Sequence, residues 1–331
     1  MEINDLESVL ETTQTRLQET VESALAKSDV SEEYRKAILK TLPFLSPQKY
    51  SIKNERWVVL PKLCCHACGG NELGVDRVTA AWYLFYIAAF LMDHAEDKLE
   101  GEQVSSETPG NMLNVASGFF FLANLILTEL LHSLPDHSTS IVIVQAFQQQ
   151  LLKMCDGQHF DLSIKKYTLT NAYEIARLKS GSFFSLACWS GARLATDNAK
   201  TLNAYASFGT SLGVIIQILD DLEDWQDLQN DFSKFEARKY QRILPALYAN
   251  EVMSDQERKH FNSVINELIS APRQDLVAEF CNILEKAGAG LYMLTTLMKE
   301  SEQAHQAITD LHPDNPADKL LLSMVESLLK F

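Results

Sequence analysis

The sequence has 331 residues, 46% of them hydrophobic, and carries a formal net charge of −15. With only 13 glycines and 9 prolines it favours long helices over many short strands, and its length and composition allow a large buried core. The acidic balance argues against nucleic acid as a partner, because contacts to phosphates require clustered lysine and arginine side chains.

No proline- or glycine-rich linker divides the chain, so we expect a single all-α domain over residues 1–331. The first residues lack the basic and apolar regions of a secretory signal, and no uncharged apolar run reaches the roughly 20 residues of a membrane span. We therefore expect a cytoplasmic protein with no transmembrane segment. The six cysteines are too scattered for a disulfide framework, and we expect them in the core.

Helices are predicted in the amino-terminal quarter over residues 3–26 and 31–42, the second with Ser31 as its N-cap. A further helix over residues 81–92 is apolar throughout and runs directly into an acidic segment. In that segment Asp93 and Asp97 are four residues apart, so both lie on one face of the helix.

The most acidic helix end follows the largely apolar run 212–219, after which four carboxylates occur within five residues. Asp220 and Asp224 share one helix face, and Asp221 lies about a quarter turn away. Such a cluster at the edge of a core is costly unless water or a cation compensates it, and the carboxyl end of the helix dipole is also negative. A solvated helix end is one interpretation. Two such clusters facing each other favour a site for Mg²⁺, or Mn²⁺, because hard cations prefer oxygen ligands.

The carboxyl-terminal third is predicted to form amphipathic helices and contains no chemical motif. Apolar residues recur there at helical spacing: Phe261, Val264, Ile265 and Leu268, then Leu320, Leu321, Met324 and Leu328. A break is predicted at Gly288-Ala289-Gly290.

The two acidic segments resemble the first and second aspartate-rich motifs of the trans-isoprenyl diphosphate synthases, all-α enzymes in which Mg²⁺ on these motifs grips an allylic diphosphate. Further segments match in the family's order over roughly residues 55–250: Gly157-Gln158-x-x-Asp161, Leu178-Lys179-Ser180-Gly181, Asp231-Phe232-Ser233-Lys234, Arg238-Lys239-Tyr240 and Leu244-Pro245-Ala246-Leu247. The resemblance implies one large helical bundle with a central active-site cavity, a prenyl diphosphate substrate and a homodimer.

Each matching residue takes a role from the resemblance. The catalytic residues are then Asp93, Asp97, Asp220, Asp221 and Asp224. The metal ligands among them are Asp93, Asp97, Asp220 and Asp224, and the residues that bind the substrate diphosphate are Lys179, Gln217, Lys234 and Lys239. Plainer interpretations stay open for Gln217, as a bond to a neighbouring helix, and for the two loop lysines, as solvated charges.

The floor of the family's prenyl-tail pocket lies four and five residues before the first motif, at Ala89 and Ala88 here. These small residues leave the tail room to continue toward bulkier side chains, of which Phe85 comes first, about 12 Å along the helix from Asp93. The sequence therefore predicts a substrate of farnesyl length or longer.

The chain departs from the family where isopentenyl diphosphate binds. Hydrophobic residues occupy the positions of basic ones before Pro61, leaving only Arg56 and Lys62 nearby, and no doubled arginine follows the first motif, whose second position is His94. Because a second buried diphosphate requires cations, we expect an allylic diphosphate to ionise but its condensation with isopentenyl diphosphate to be weak or absent.

Three functions compete. The first is a terpene synthase or cyclase, or an enzyme that transfers the prenyl group to an acceptor other than isopentenyl diphosphate. The second is a chain-elongating synthase in which Arg56, Lys62, Arg77 or Lys98 replaces the missing cations. The third is a non-catalytic regulatory subunit, against which the near-complete aspartate motifs argue.

Overall fold

The computed structural model of the protein describes residues 5–42, 55–71, 74–101, 109–164, 166–230, 237–311 and 315–329. Within these ranges the chain forms fifteen α-helices, one 3₁₀ helix and one π-helix, and no strand, which confirms the all-α prediction.

The α-helices are, in chain order, α1 (Leu6–Lys27), α2 (Glu32–Thr41), α3 (Leu60–Ala67), α4 (Val75–Gly101), α5 (Pro109–Ser133), α6 (His137–Ser163), α7 (Leu169–Ala176), α8 (Ser182–Arg193), α9 (Ala199–Asn230), α10 (Ala237–Tyr240), α11 (Leu244–Val252), α12 (Asp255–Ser270), α13 (Gln274–Lys286), α14 (Ala289–Thr309) and α15 (Pro316–Leu328). The 3₁₀ helix (Glu55–Val59) precedes α3, and the π-helix (Arg177–Gly181) joins α7 to α8.

The chain forms two compact units. The first comprises Met1–Gln148, Ala187–Tyr205 and Pro313–Leu321, and the second comprises Gln149–Leu186, Ala206–His312 and Leu322–Phe331. A single domain over the whole chain stays a prediction.

In the first unit α4 packs along α5, and α1 contacts both of them. Helix α4 is buried on several sides, with Trp82, Phe85 and Ala88 almost inaccessible to solvent. A helix that is hydrophobic all round belongs inside a core, which agrees with the absence of charged side chains from residues 81–92.

The core of the second unit gathers side chains from the end of α9 and from α11, α12 and α13, including Leu228, Ala246, Leu268 and Phe280. The predicted amphipathic face of α12 is confirmed, since the four apolar residues predicted to form it are buried. The predicted break is also confirmed: Gly288 has a φ of 79° and forms the N-cap of α14, in a backbone region that favours glycine.

The cysteines are only partly as predicted. Four are buried (Cys64, Cys65, Cys188 and Cys281) and Cys68 is half-buried, but Cys155 is exposed on α6. The expectation of a core position was therefore wrong for Cys155, which shares an exposed face of α6 with Leu152.

Three helical segments are long and apolar enough to cross a membrane, judged by length and composition alone: Val75–Glu96, Pro109–Ser133 and Ala199–Leu228. The absence of a transmembrane segment stays a prediction.

Candidate active site

The second acidic motif lies within α9, and the prediction that the helix ends at this motif was wrong, because α9 continues to Asn230. Val214, Ile215 and Ile218 are fully buried and anchor this helix in the core. The carboxylates follow in a less buried part of the helix, where Asp220 is exposed and Asp224 is half-buried. The motif thus places acidic groups at the margin of an apolar core, which is the arrangement that requires compensation by charge or water.

Asp221 accepts hydrogen bonds from one backbone donor and one side-chain donor. The Leu244 N–H donates a 2.8 Å hydrogen bond to Asp221 Oδ2, and Gln217 Nε2 donates one of 3.4 Å to Oδ1. Leu244 is the first residue of α11, whose N-cap Ile243 makes no side-chain cap. Asp221 therefore satisfies a backbone donor that the first turn of α11 leaves open, at the helix end that favours negative charge.

The pKa of Asp221 is raised to about 7, first by burial and then by the charges of Asp224 and Asp220, while the bonds from Leu244 and Gln217 lower it. The elevated pKa means that the surroundings oppose another negative charge. A bound cation would favour the ionised carboxyl group and relieve the repulsion within the motif.

One lysine compensates part of this charge. Lys239 Nζ lies 2.8 Å from Asp224 Oδ1, and the next residue, Tyr240, donates a hydrogen bond to the backbone carbonyl of Asp224. Lys239 is half-exposed and so remains within reach of solvent and solutes. The structure thus brings Lys239 together with the second acidic motif, and its role in binding a diphosphate stays a prediction.

The π-helix carries Lys179, another lysine predicted to bind the diphosphate. Lys179 Nζ lies 3.1 Å from Asp161 Oδ2 on α6, and Ser180 Oγ donates a 3.3 Å hydrogen bond to Gln217 Oε1. Gln217 therefore joins the π-helix to Asp221. Wide helical turns of this kind occur frequently at functional sites.

Sequence reasoning assigned no role to Asp161, although its motif was recognised. The available signal was the spacing, because Gly157 and Asp161 lie one turn apart and so face the same neighbour.

The first acidic motif belongs to the first unit, on α4. Asp93 is exposed there, and the His94 ring stacks on Phe90 at 5.7 Å between centroids. The backbone of Asp97 continues the helix, but its side chain lies outside the described part of the structure, as does all of Lys234. That the two acidic motifs face each other stays a prediction.

The three residues predicted to line the prenyl-tail pocket differ in exposure. Phe85 and Ala88 are fully buried, and the Phe85 ring packs 5.6 Å from Phe120. Ala89 is half-buried and lies on the face of α4 that carries Asp93. Ala89 is thus the least buried of the three, and a prenyl-tail role for each of them stays a prediction.

Three basic residues were considered as replacements for the missing isopentenyl diphosphate ligands, and each contacts another side chain of the protein. Lys62 is buried, with Nζ 3.9 Å from Asp76 Oδ1. Arg77 pairs with Glu129 at 3.6 Å, and the Arg56 guanidinium lies 4.8 Å from the centre of the Trp57 ring. The side chain of Lys98 lies outside the described residues.

Comparison with known proteins identifies the family. Residues 59–284 match the polyprenyl synthetase family, which is more than half of the chain. The chain belongs to this family. The resemblance read from its motifs is therefore confirmed.

Individual relatives are distant. The chain is 24% identical over 248 residues to a probable mitochondrial hexaprenyl pyrophosphate synthase of Neurospora crassa, covering 72% of this chain and 53% of the relative. It is 26% identical over 156 residues to the tryptophan prenyltransferase ComQ of Bacillus subtilis subsp. natto, covering 46% of each protein. The chain thus spans about half the length of these curated relatives.

The fold of this polyprenyl synthetase family member is also found in solved structures. The geranylgeranyl pyrophosphate synthetase from Pyrococcus horikoshii superimposes with a TM-score of 0.78 at 18% identity, covering 98% of this chain and 99% of the other. At this identity the likeness shows the fold alone.

The donor set of the second motif fits a hard cation. Its groups are carboxylates, and the charges of Asp224 and Asp220 add to the effect of burial in raising the pKa of Asp221. Among the described residues no group of three or more His, Cys, Asp or Glu side chains is arranged to hold a metal by itself. Mg²⁺ is usually bound by one or two carboxylates together with phosphate oxygens and water.

Proposed function

We propose that this family member is a Mg²⁺-dependent prenyltransferase that acts on an allylic prenyl diphosphate of farnesyl length or longer. The observation that best supports this is the occurrence of carboxylates and lysine ammonium groups together in the second unit. Lys239 pairs there with Asp224 in the carboxylate cluster of α9, and Lys179 lies next to Ser180, which donates a hydrogen bond to Gln217 on the same helix. Carboxylates for a cation beside ammonium groups for an anion suit a metal-bound diphosphate.

In this proposal Asp220 and Asp224, with Asp93 and Asp97 from the first motif, hold the cation. When bound, Mg²⁺ supplies positive charge to the diphosphate as it departs. The chain's own contribution is to bind and orient that group: Lys179 and Lys239 donate hydrogen bonds to its oxygens. Gln217 does so too, or keeps Asp221 in place. No protein nucleophile is required, because the developing charge resides on the leaving diphosphate.

Chain elongation is the reaction that the comparisons favour, in preference to our first expectation of a cyclase. The Neurospora relative is named a hexaprenyl synthase and the Pyrococcus structure a geranylgeranyl synthetase. In that reaction the allylic C–O bond breaks, isopentenyl diphosphate forms the new C–C bond, and a proton is lost. No comparison supports a terpene synthase or lyase.

Transfer to another acceptor is the second candidate, and a specific observation supports it. Lys62 lies in the core beside Asp76, and Arg77 faces Glu129, so neither provides a cation ready for a second diphosphate. The tryptophan prenyltransferase relative shows by its name that the family includes transfer to such acceptors.

The experiment incubates the full chain with Mg²⁺ and farnesyl or geranylgeranyl diphosphate, with and without isopentenyl diphosphate, and analyses the organic extract and the remaining diphosphates. Longer diphosphates formed only with isopentenyl diphosphate establish chain elongation. Apolar products formed without it establish cyclisation or capture of the prenyl group by water. If the protein neither binds nor converts any prenyl diphosphate, the proposal fails.

We also propose a homodimer located in the cytoplasm. Exposed apolar side chains on the first unit support self-association, with Phe121 72%, Leu125 51% and Ile141 48% exposed. Because the Neurospora relative is named mitochondrial, localisation requires its own test by fractionation. Light scattering on the purified protein tests the dimer.

A further inference from the structure

We propose that Asp161 is a positioning residue that holds the Lys179 ammonium where the substrate diphosphate binds. This inference rests on the proposed function and adds a residue to its site. The contact that motivates it is the 3.1 Å ion pair between Lys179 Nζ and Asp161 Oδ2.

The pair is well shielded from solvent. The Lys179 side chain is 24% exposed and that of Asp161 is 23% exposed. A surface lysine samples many rotamers, and its ion pairs contribute little because water and salt screen them. A largely buried pair is screened less, so its geometry is better defined.

Close packing directs the lysine toward Asp161. Gly157 precedes Asp161 by one turn of α6 and faces the π-helix. A Cβ atom at Gly157 would lie 3.0 Å from Leu178 Cβ and 3.3 Å from Lys179 Cγ. The aliphatic part of Lys179 therefore lies against bare backbone at Gly157, and its ammonium reaches the carboxylate four residues further along.

Asp161 is itself fixed in position. The Tyr167 hydroxyl donates a 3.0 Å hydrogen bond to the Asp161 carbonyl oxygen, and the Arg242 guanidinium lies 4.4 Å from the centre of the Tyr167 ring. These contacts hold the end of α6 against the segment between α10 and α11. Asp161 thus provides a fixed point rather than a mobile counter-ion.

The consequence for binding is preorganisation. A lysine ammonium has three donors and can bond a carboxylate and a phosphate oxygen at once. Holding it in place before the diphosphate arrives reduces the ordering that binding requires. Asp161 is then expected to act only through Lys179.

A double-mutant cycle tests this. The variants are Asp161→Ala, Lys179→Ala and the combination, studied as full chains with Mg²⁺. The readouts are the dissociation constant of inorganic diphosphate by calorimetry and kcat and KM for farnesyl diphosphate. Asp161→Ala is expected to weaken diphosphate binding about tenfold in the wild-type background and to add almost nothing when Lys179 is already absent.

Two further variants separate positioning from folding. Asp161→Asn keeps an acceptor for the ammonium, so diphosphate affinity within about threefold of wild type is expected. Gly157→Ala leaves the ion pair intact but displaces the lysine stem, and it is expected to weaken binding. Glu300→Gln is the matched control, because Glu300 pairs with Arg177 at the other end of the π-helix at 3.3 Å. It is expected to change thermal stability and to leave diphosphate affinity within about twofold.

The outcomes distinguish this inference from the proposed function. If Asp161→Ala weakens binding equally in both backgrounds, Asp161 acts without Lys179 and the inference is wrong. If wild type converts a prenyl diphosphate but Asp161→Ala binds inorganic diphosphate as well as wild type, only the inference is wrong. If wild type binds neither inorganic diphosphate nor a prenyl diphosphate, both fail.

Discussion

The Asp221 carboxylate and the Leu244 amide are joined by a 2.8 Å hydrogen bond. One aspartate of the second acidic motif thus caps the first turn of another helix. This contact links the acidic motif of α9 to α11 and gives Asp221 a structural role in addition to its predicted catalytic role. The aspartates that bind metal in the proposal are the others, Asp220 and Asp224.

We predict that Asp221→Ala makes the Leu244 amide exchange with solvent about tenfold faster, because a hydrogen bond to a carboxylate contributes on the order of 1.5 kcal/mol. Asp221→Asn retains an acceptor and should restore much of the protection. Hydrogen exchange with mass spectrometry on peptides covering the start of α11 measures this. Unchanged exchange in Asp221→Ala would show that the contact does not hold the helix, and peptides from α12 serve as the internal reference.

Asp220→Asn is expected to lower kcat/KM for a prenyl diphosphate roughly 100-fold or more and to raise the Mg²⁺ concentration needed for half-maximal rate. The physical reason is loss of a charged oxygen ligand. Titration of the initial rate with Mg²⁺ measures both effects. Glu223→Gln is the control, because it removes an exposed charge from the same motif. Equal effects of the two variants would contradict a specific ligand role for Asp220.

Ala89→Phe is expected to shift preference toward the shorter substrate, lowering the ratio of kcat/KM for geranylgeranyl over farnesyl diphosphate about tenfold or more. Ala89 is half-buried on the face that carries Asp93. Ala88→Phe should instead destabilise the protein by about 1 to 3 kcal/mol through overpacking, since Ala88 is fully buried. Parallel rate and thermal unfolding measurements separate the two. An unchanged length preference in Ala89→Phe would remove this residue from the pocket.

Lys62→Met tests whether the buried lysine serves a second diphosphate. The Lys62 side chain is 2% exposed, while its partner Asp76 is 27% exposed and can be solvated when the lysine is removed. Replacing a buried charge by an apolar side chain of similar size is often neutral. We expect the KM for isopentenyl diphosphate to stay within about twofold of wild type. An increase above tenfold would show that Lys62 binds that substrate.

Asp136→Ala tests a pH effect at the start of α6. Hydrogen bonds from Ser138, first in effect, and from Thr139 lower the pKa of Asp136 from 3.8 to about 2. A carboxyl group whose pKa is lower in the folded state stabilises the protein above its unfolded pKa. That contribution is therefore present above pH 4 and is lost as the pH falls toward 2.

The measurement is the urea midpoint at pH 6 and near pH 2.5. Asp136→Ala should lower the midpoint at pH 6 and have little effect at the acidic pH. Asp29→Asn, an exposed aspartate between α1 and α2, is the control for a change of charge. An equal loss at both pH values would show that the ionised group is not what stabilises this helix end.

Local pattern was sufficient for much of the fold. The run 81–92 lies within α4 and is mostly buried, but the helix does not end at the acidic segment as predicted, since it continues to Gly101. Ser31 caps α2 as predicted, accepting a bond from the Tyr34 N–H. Such features depend on residues within one or two turns, so periodicity and capping chemistry reveal them.

The residues that line a pocket and the partners of buried charges were harder to predict from the sequence than the helices. Phe85 and Ala88 were predicted to line a pocket, and the structure buries both completely. A hydrophobic helix exposes no polar residue that would tell its core face from a pocket face, so the sequence could not distinguish them. Lys62 was considered as a diphosphate ligand, and its burial beside Asp76 depends on the packing of α3 against α4.

The sequence by itself determined that this is an all-α member of the polyprenyl synthetase family in which acidic groups follow two apolar helical runs, because spacing along one helix fixes which side chains share a face. Only the tertiary structure decided that Asp221 caps α11 and that Asp161 meets Lys179. Both contacts join elements that are distant in the chain, and such contacts are set by how helices pack rather than by local propensity.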